Sequence, residues 1–352
     1  MSEARPQPCE AIRRLTPYTP PTSGRQGQAR HDFNENTVGC SPRVAERLRE
    51  IATADFLATY PEYESARAKF AEFYGVGADQ VLISDGTDEA ILVLLNTFCE
   101  PGDEVLMPWP TFPMFRFYAE TVSAKPVRVS YREPDLAFPT EELIGAITAK
   151  TRAVLIASPN NPTGGGIGLD TVEQILEAAP RTAVLIDEAY FEFYGVTAIE
   201  LIPKYSNLFV SRTFSKAYGL AGVRVGCLLS QSENVASMLK GQSPYSVTSV
   251  GIVCALAAIE DQDYVQRYVD EVLKARIELI VALDELGVAH YPTDANFVLA
   301  QFGDRAGSIY EALKAKEILV RPRSGEIPGT IRITVGTQAQ TARVINALRE
   351  AM

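Results

Sequence analysis

From about residue 66 the chain alternates short, uniformly apolar runs with stretches of helical length. VLIS (81–84) precedes a helical stretch over 87–99, which stops at Pro101-Gly102. EVLMP (104–108) precedes a second over about 112–120. KPVRVSY (125–131), AVLIAS (153–158), AVLID (183–187), LFVSR (208–212) and VRVGCLLS (223–230) complete the set. Runs that are apolar throughout, rather than at every second position, are strands buried on both faces. With helices between them they predict a largely parallel sheet covered on both sides. Such sheets take their ligands at the carboxyl ends of the strands, so chemistry is expected there.

After Ser246 the texture changes. A helical run reaches residue 259, a long helix covers about 264–286, and the strands NFVLAQF (296–302) and TIRITVG (330–336) flank another helix. The closing helix opens on a capping box, Thr337 with Gln340. This predicts a smaller α+β domain over 246–352, following a large α/β domain over 46–245. The irregular N-terminal arm (1–45), rich in Pro, Gly and Arg, is expected to pack onto the small domain.

Composition narrows the function more than the fold. The 352 residues are 46% apolar and 22% charged, enough to bury a sizeable core. A net charge of −11 argues against a nucleic-acid or anionic-membrane surface. The longest apolar run, 251–259, is far short of the roughly 20 residues a membrane span needs. The first residues lack the apolar core of an export signal. Five scattered cysteines without a CxxC pair fit buried thiols in a reducing compartment, so a cytoplasmic location is expected. Two histidines, His31 and His290, leave little room for a metal site or a Ser-His-Asp triad. There is no G-x-G-x-x-G after a strand and no Walker A loop.

The chemistry-bearing residues cluster after strand ends. The chain holds nine lysines, and Lys216 in SRTFSKAYGLAGVRVG stands just past an apolar strand. There it is either a solvated surface lysine or a desolvated amine able to form a Schiff base with a carbonyl. Arg224, eight residues on, suits bidentate phosphate binding. Asp187 ends a strand, where it caps a turn or keeps a heterocyclic nitrogen protonated. Tyr190, and Asn161 in SPNNPTG, are placed to donate to a ring oxygen. Gly86, Thr87 and Asp88 open a helix whose N–H groups form an ordinary N-terminus or a phosphate cradle. Phe112 packs in the core or stacks on a flat ring. Each feature is weak alone. Together they supply what pyridoxal phosphate requires: an amine, an acid for the pyridine nitrogen, a stacking ring, oxygen donors and a phosphate site.

The chain resembles the fold-type I pyridoxal-phosphate aminotransferases of class I and II, and among them most closely the histidinol-phosphate aminotransferase family. LTPY, NEN, ATYPEY, DGTDEAI, FCEPGDEV, PTF, SPNNPTG, DEAYFEF, RTFSKAYGLAGVRVG and IRITVGT occur in that family's order and spacing along nearly the whole length. The resemblance implies Lys216 as the internal-aldimine lysine, Asp187 on the pyridine nitrogen, and Asn161 and Tyr190 on the ring oxygen. It implies Gly86, Thr87, Asp88, Thr213, Ser215 and Arg224 around the phosphate. Tyr60 of ATYPEY would reach the neighbouring subunit's phosphate, making the active unit a homodimer with composite sites.

For the substrate, the resemblance implies Tyr18, Asn34, Arg321 and Arg332, with Arg323 adding positive potential beside Arg321. The implied reaction is transamination of histidinol phosphate with 2-oxoglutarate, a step of histidine biosynthesis. Thr37 stands where a proline is usual, and Phe112 where tyrosine is frequent. Three other readings share the framework: an aromatic amino acid aminotransferase, a threonine-phosphate decarboxylase, and a cofactor-sensing regulator. The regulator would need an added DNA-binding domain, which the acidic charge and the short stretch before the match disfavour.

Overall fold

The computed structural model describes residues 6–17 and 23–352. The apolar runs form a seven-stranded sheet in the order Val81–Ser84, Gly226–Leu229, Leu208–Thr213, Ala183–Asp187, Thr151–Ala157, Glu104–Trp109, Lys125–Ser130. Gly226–Leu229 is antiparallel to both its neighbours, and all the other strands point one way. Alternate residues feed two cores. Val154, Ile156, Val184, Ile186 and Val210 enter one, while Leu155, Leu185 and Phe209 enter the other, with Ile91 and Leu94 of the helix Gly86–Phe98. Full burial of each such side chain contributes about 1.5–3 kcal/mol. The same alternation governs the strand ends. Asp187 and Ser211 continue one row, Glu188 and Arg212 the other.

A second sheet has the order Ala29–His31, Ile318–Pro322, Thr330–Thr334, Phe297–Gln301, Ala289–His290. Its first strand comes from the N-terminal segment and pairs parallel with Ile318–Pro322. At three and two residues, the outer strands are too short for any alternation to announce them. The 24-residue helix Gln262–Glu285 buries Val265, Val269, Val272 and Leu279 in the core that also holds Ile186 and Phe297. The two sheets therefore share one core. We propose 46–245 and 246–352 as their two domains, with the arm belonging to the second.

One departure from the expected elements bears on the site. The run VRVGCLLS is a strand only from Gly226, because Ala221–Val223 is a 3-10 turn and Arg224 has φ +53°. A left-handed backbone is strained for arginine and persists only where surrounding contacts hold it. Here it accompanies a guanidinium directed at Asp88, Nη2 to Oδ2 3.0 Å. Thr37 is explained as well. Its N–H donates to the Tyr268 hydroxyl at 3.3 Å, a bond proline would delete.

Candidate active site

A cavity of about 550 Å3 opens at the carboxyl ends of the large sheet. Five of the parallel and edge strands deliver parts of it from the residues that follow them, and the turn before Gly226–Leu229 adds Arg224. Thr87 and Asp88 follow Val81–Ser84; Phe112 follows Glu104–Trp109; Asn161 follows Thr151–Ala157. Asp187 and Tyr190 follow in turn, then Thr213, Ser215 and Lys216, then Arg224. The second sheet closes the other side with Arg321 and Arg332, and the N-terminal segment adds Asn34.

Asp187 is buried, and its Oδ1 accepts a hydrogen bond from Ser211 Oγ at 2.8 Å. The two sit opposite each other in the parallel ladder, so one register places both. Burial pushes the Asp187 carboxyl up to about 7, with Asp88 and Glu188 adding to the rise, against the Ser211 hydrogen bond and the Lys216 charge. A buried acid so poised gains from a cation or a protonated ring nitrogen placed against it.

Lys216 is half-buried, and its Nζ donates to the Phe33 carbonyl at 3.0 Å. The adjacent Ala217 carbonyl accepts from Asn36 Nδ2 at 2.8 Å, tying this turn to the N-terminal segment. Tyr190 accepts at its hydroxyl from Asn34 Nδ2, also 2.8 Å. That bond uses the phenol's acceptor side and leaves its own proton to donate. Asn34 is itself fixed by Thr334, which donates to Oδ1 at 2.9 Å and accepts from the Asn34 N–H at 3.0 Å. Asn161 Oδ1 accepts from Arg332 Nη1, which leaves the amide nitrogen as its donor end.

The phosphate-sized corner lies at the start of the helix Gly86–Phe98. Its N-cap residue, Asp85, makes no side-chain cap, so the first-turn N–H groups point out without a side-chain acceptor. A Cβ on Gly86, at φ +65°, would sit 2.6 Å from Arg224 Nη2, so only glycine admits the guanidinium there. Burial raises the Asp88 carboxyl, with Arg224 and Lys216 opposing.

Across the cavity, three arginines collect. Arg321 and Arg332 are direct cross-strand partners, and Arg323 is two residues beyond Arg321. Like charges opposite one another on a sheet are destabilising unless something anionic compensates them. Arg332 Nη2 donates to the Asp32 carbonyl, and Arg323 pairs with Glu326 at 3.2 Å. Phe33 lies beneath the Arg25 and Arg321 guanidiniums, 4.2 and 5.5 Å from its centroid.

Sequence reasoning missed three parts of this site. Ser211 is visible in retrospect, since it shares the parity of Asp187 on the neighbouring strand. Phe33 and Glu35 have no such signal, because only the tertiary fold brings the arm to the cavity. Tyr60 does not line it. The residue is 71% exposed, and its ring stacks on Tyr245 with centroids 4.2 Å apart. Tyr18 lies outside the described residues.

The donor set fits pyridoxal phosphate. The buried Asp187 carboxyl could pair with a ring nitrogen, the Lys216 amine with an aldehyde, and Tyr190 and Asn161 with a ring oxygen. Phe112 could stack on the ring, and the Gly86 turn with Arg224 could take the phosphate. Among the described residues, no cluster suits a metal and no helix is long and apolar enough to cross a membrane.

Comparison with known proteins agrees with this geometry. The aminotransferase class I and II family model matches residues 30–348. A histidinol-phosphate aminotransferase from Symbiobacterium thermophilum is 35% identical, covering 97% of this chain and 98% of its own. One from Roseobacter denitrificans is 36% identical over 90% and 89%. The crystal structure of histidinol-phosphate aminotransferase from Sinorhizobium meliloti in complex with pyridoxal-5'-phosphate superposes with a TM-score of 0.90 at 26% identity, over 99% of this chain and 98% of that one. On a match that spans both sheets and every strand end of the site, the chain belongs to the class I and II aminotransferases.

Proposed function

We propose that the chain transaminates histidinol phosphate with 2-oxoglutarate, in the cytoplasm, as a pyridoxal-phosphate-dependent homodimer. The observation that carries the substrate is the arginine wall. Arg321, Arg323 and Arg332 gather positive charge on the side of the cavity away from the Arg224 corner, so a second anionic group is expected there. A phosphate monoester supplies one in the first half-reaction and the carboxylates of 2-oxoglutarate in the second. The names of the relatives support the same substrate.

Bound pyridoxal phosphate supplies an aldehyde and an electron-withdrawing ring that together acidify the substrate's Cα–H. The residues divide the remaining work. Lys216 Nζ would hold the cofactor's aldehyde end and, once free, would serve as the general base for the proton on the substrate's Cα. Asp187, with Ser211 on its Oδ1, would keep its Oδ2 for the proton of the pyridine nitrogen. The Tyr190 hydroxyl and the Asn161 amide nitrogen would donate to the ring oxygen. Arg224, Ser215, Thr213 and the helix N-terminus would hold the phosphate. Tyr60 would complete the phosphate site of the partner subunit.

A second reading is an aromatic amino acid aminotransferase, favoured by Phe33 and Phe112, whose rings both border the cavity. A coupled assay with 2-oxoglutarate as acceptor separates the two. We expect kcat/KM for histidinol phosphate to exceed that for phenylalanine by 100-fold or more, on the order of 3 kcal/mol. The reverse preference would transfer the assignment to the aromatic substrate.

A further inference from the structure

Three successive carbonyls of the N-terminal segment are each engaged by a side chain. The Asp32 carbonyl accepts from Arg332 Nη2, the Phe33 carbonyl from Lys216 Nζ at 3.0 Å, and the Asn34 carbonyl from Asn296 Nδ2 at 3.2 Å. Asn34 itself has φ +56°, a left-handed backbone that persists only where its surroundings hold it. Thr334 takes its side chain, and Arg25 grips the residues on either side.

The Arg25 guanidinium forks twice. Its Nε and Nη2 donate to Asp32 Oδ2 and Oδ1 at 3.0 and 2.8 Å. Its Nη1 and Nη2 donate to Glu35 Oε1 and Oε2 at 3.2 and 2.8 Å. Between them the same guanidinium lies 4.2 Å from the Phe33 ring centroid. Arg25 is 14% exposed, so these charge-assisted bonds are largely shielded from solvent.

Of the two carboxylates, Glu35 lines the cavity with Lys216, Arg321 and Arg332, and Asp32 does not. Burial would raise the Glu35 carboxyl, but the hydrogen bond and charge of Arg25, with Arg30 and Lys216, hold it below its ordinary value. It is therefore ionised at neutral pH, and Arg25 is its principal partner. Arg30 approaches only to 3.6 Å and is 45% exposed. Deprived of Arg25, this carboxylate would stand uncompensated in a cavity whose wall has to accept an anion.

We propose that Arg25 is a positioning residue for transamination. By clamping Asp32 and Glu35 it fixes the backbone that meets Lys216 and Arg332, and it neutralises a cavity carboxylate that would otherwise repel the substrate's anion. The inference rests on the arginine wall as the place of that anion. The test titrates succinate, a dicarboxylate with no amine or oxo group to react, calorimetrically into the pyridoxal-phosphate-loaded protein.

We expect Arg25→Gln to weaken succinate binding by about tenfold or more. Adding Glu35→Gln should return the affinity to within about threefold of wild type, because it removes the repelling charge. That second substitution restores no contact, so a merely structural role for Arg25 predicts no recovery. In Arg25→Gln the pH midpoint of the bound cofactor's yellow absorption should also rise by about half a unit or more, since a bare carboxylate near Lys216 favours the protonated linkage. Asp88, Asp187, Tyr190 and Arg224 border Lys216 as well and are unaltered by the substitution.

Unchanged affinity in Arg25→Gln, no recovery in the double variant, or an unmoved midpoint would each overturn the positioning role. Absence of saturable binding to the wild-type protein would overturn the arginine wall itself, and the role of Arg25 with it. Should Arg25→Gln not fold, Arg25→Lys keeps the charge but cannot fork onto both carboxylates, so affinity should fall about threefold or more and recover with Glu35→Gln. Unchanged affinity in Arg25→Lys overturns the proposal equally.

Discussion

Arg332 Nη1 donates to Asn161 Oδ1, and this bond leaves the nitrogen of the Asn161 amide as the end free to donate. The same device recurs twice. Asn34 occupies the acceptor side of the Tyr190 hydroxyl, and Ser211 occupies one oxygen of Asp187. In each case a neighbour takes one end, so the remaining donor or acceptor is oriented before anything binds. Preorganisation of this kind avoids a reorganisation cost during the reaction. It also gives Arg332, the proposed substrate anchor, a proposed second role in positioning Asn161.

Asn161→Asp tests the first of these bonds. The variant keeps an oxygen for Arg332 but replaces the donor end with an acceptor. Losing one hydrogen bond to a charged oxygen is worth about 1.5–3 kcal/mol, so kcat/KM should fall roughly 10- to 150-fold. The absorption maximum of the bound cofactor should move with it. Kinetics within twofold of wild type, with an unshifted maximum, would remove Asn161 from the ring oxygen.

Asp187→Asn should act in opposite directions on the cofactor-free and cofactor-loaded protein. The folded carboxyl is pushed up to about 7, whereas an unfolded one titrates near about 3.9. Between those values the folded chain holds a proton that the unfolded chain has released. The carboxyl's contribution to stability is therefore fully present below about pH 4 and is lost as pH rises through about 7. Glu192, also pushed to about 7, works in the same sense and is untouched by the substitution. Cofactor-free Asp187→Asn should thus gain in Tm relative to wild type as pH is raised from 5 to 8. The loaded variant should lose about 100-fold or more in kcat, since an amide cannot keep the ring nitrogen protonated. A Tm difference that does not change with pH would mean that Asp187 is ionised in the empty site.

Lys216→Ala removes the amine at the centre of the cavity. Turnover should vanish, and the yellow absorption of cofactor joined to the protein should go with it. The side chain is half-buried and makes one hydrogen bond, to the Phe33 carbonyl. Its loss should therefore cost no more than about 1.5 kcal/mol of stability. Retained colour and turnover in a folded variant would place the covalent attachment elsewhere.

How much of this was legible depends on how far apart the cooperating residues lie in the chain. Lys216, Asp187, Asn161 and the Gly86 turn each stand directly after an apolar run, so strand ends and the parallel-sheet rule find them together. The capping box at Thr337 and Gln340 is likewise local, and both of its bonds form, at 3.2 and 2.9 Å. Phe33 and Glu35 reach the cavity from the arm, across some 180 residues of sequence from Lys216, and no local pattern encodes that approach. Arg224 was legible as a residue of the cavity but not as a residue at positive φ. The apolar character of VRVGCLLS favours a strand through it, and only the close packing against Gly86 overrides that preference. The buried Glu188–Arg212 pair was hidden for the opposite reason. Glu188 and Arg212 read as neighbours of functional residues, yet strand alternation turns them away from those neighbours.

Tyr60 carries the last prediction. It lies outside the cavity of its own chain, 71% exposed, and in a composite dimer it would serve the other subunit. Co-expression of Lys216→Ala chains with Tyr60→Ala chains tests this directly, because hybrid dimers can be isolated by two different affinity tags. If Tyr60 acts across the interface, one site of the hybrid pairs an intact Lys216 with the intact Tyr60 of the other chain, and the second site carries both lesions. The hybrid should then show about half the activity of a wild-type dimer, although Lys216→Ala homodimers are inactive and Tyr60→Ala homodimers are impaired. If Tyr60 instead serves its own chain, neither site of the hybrid is intact, and its activity cannot exceed half that of the Tyr60→Ala homodimer.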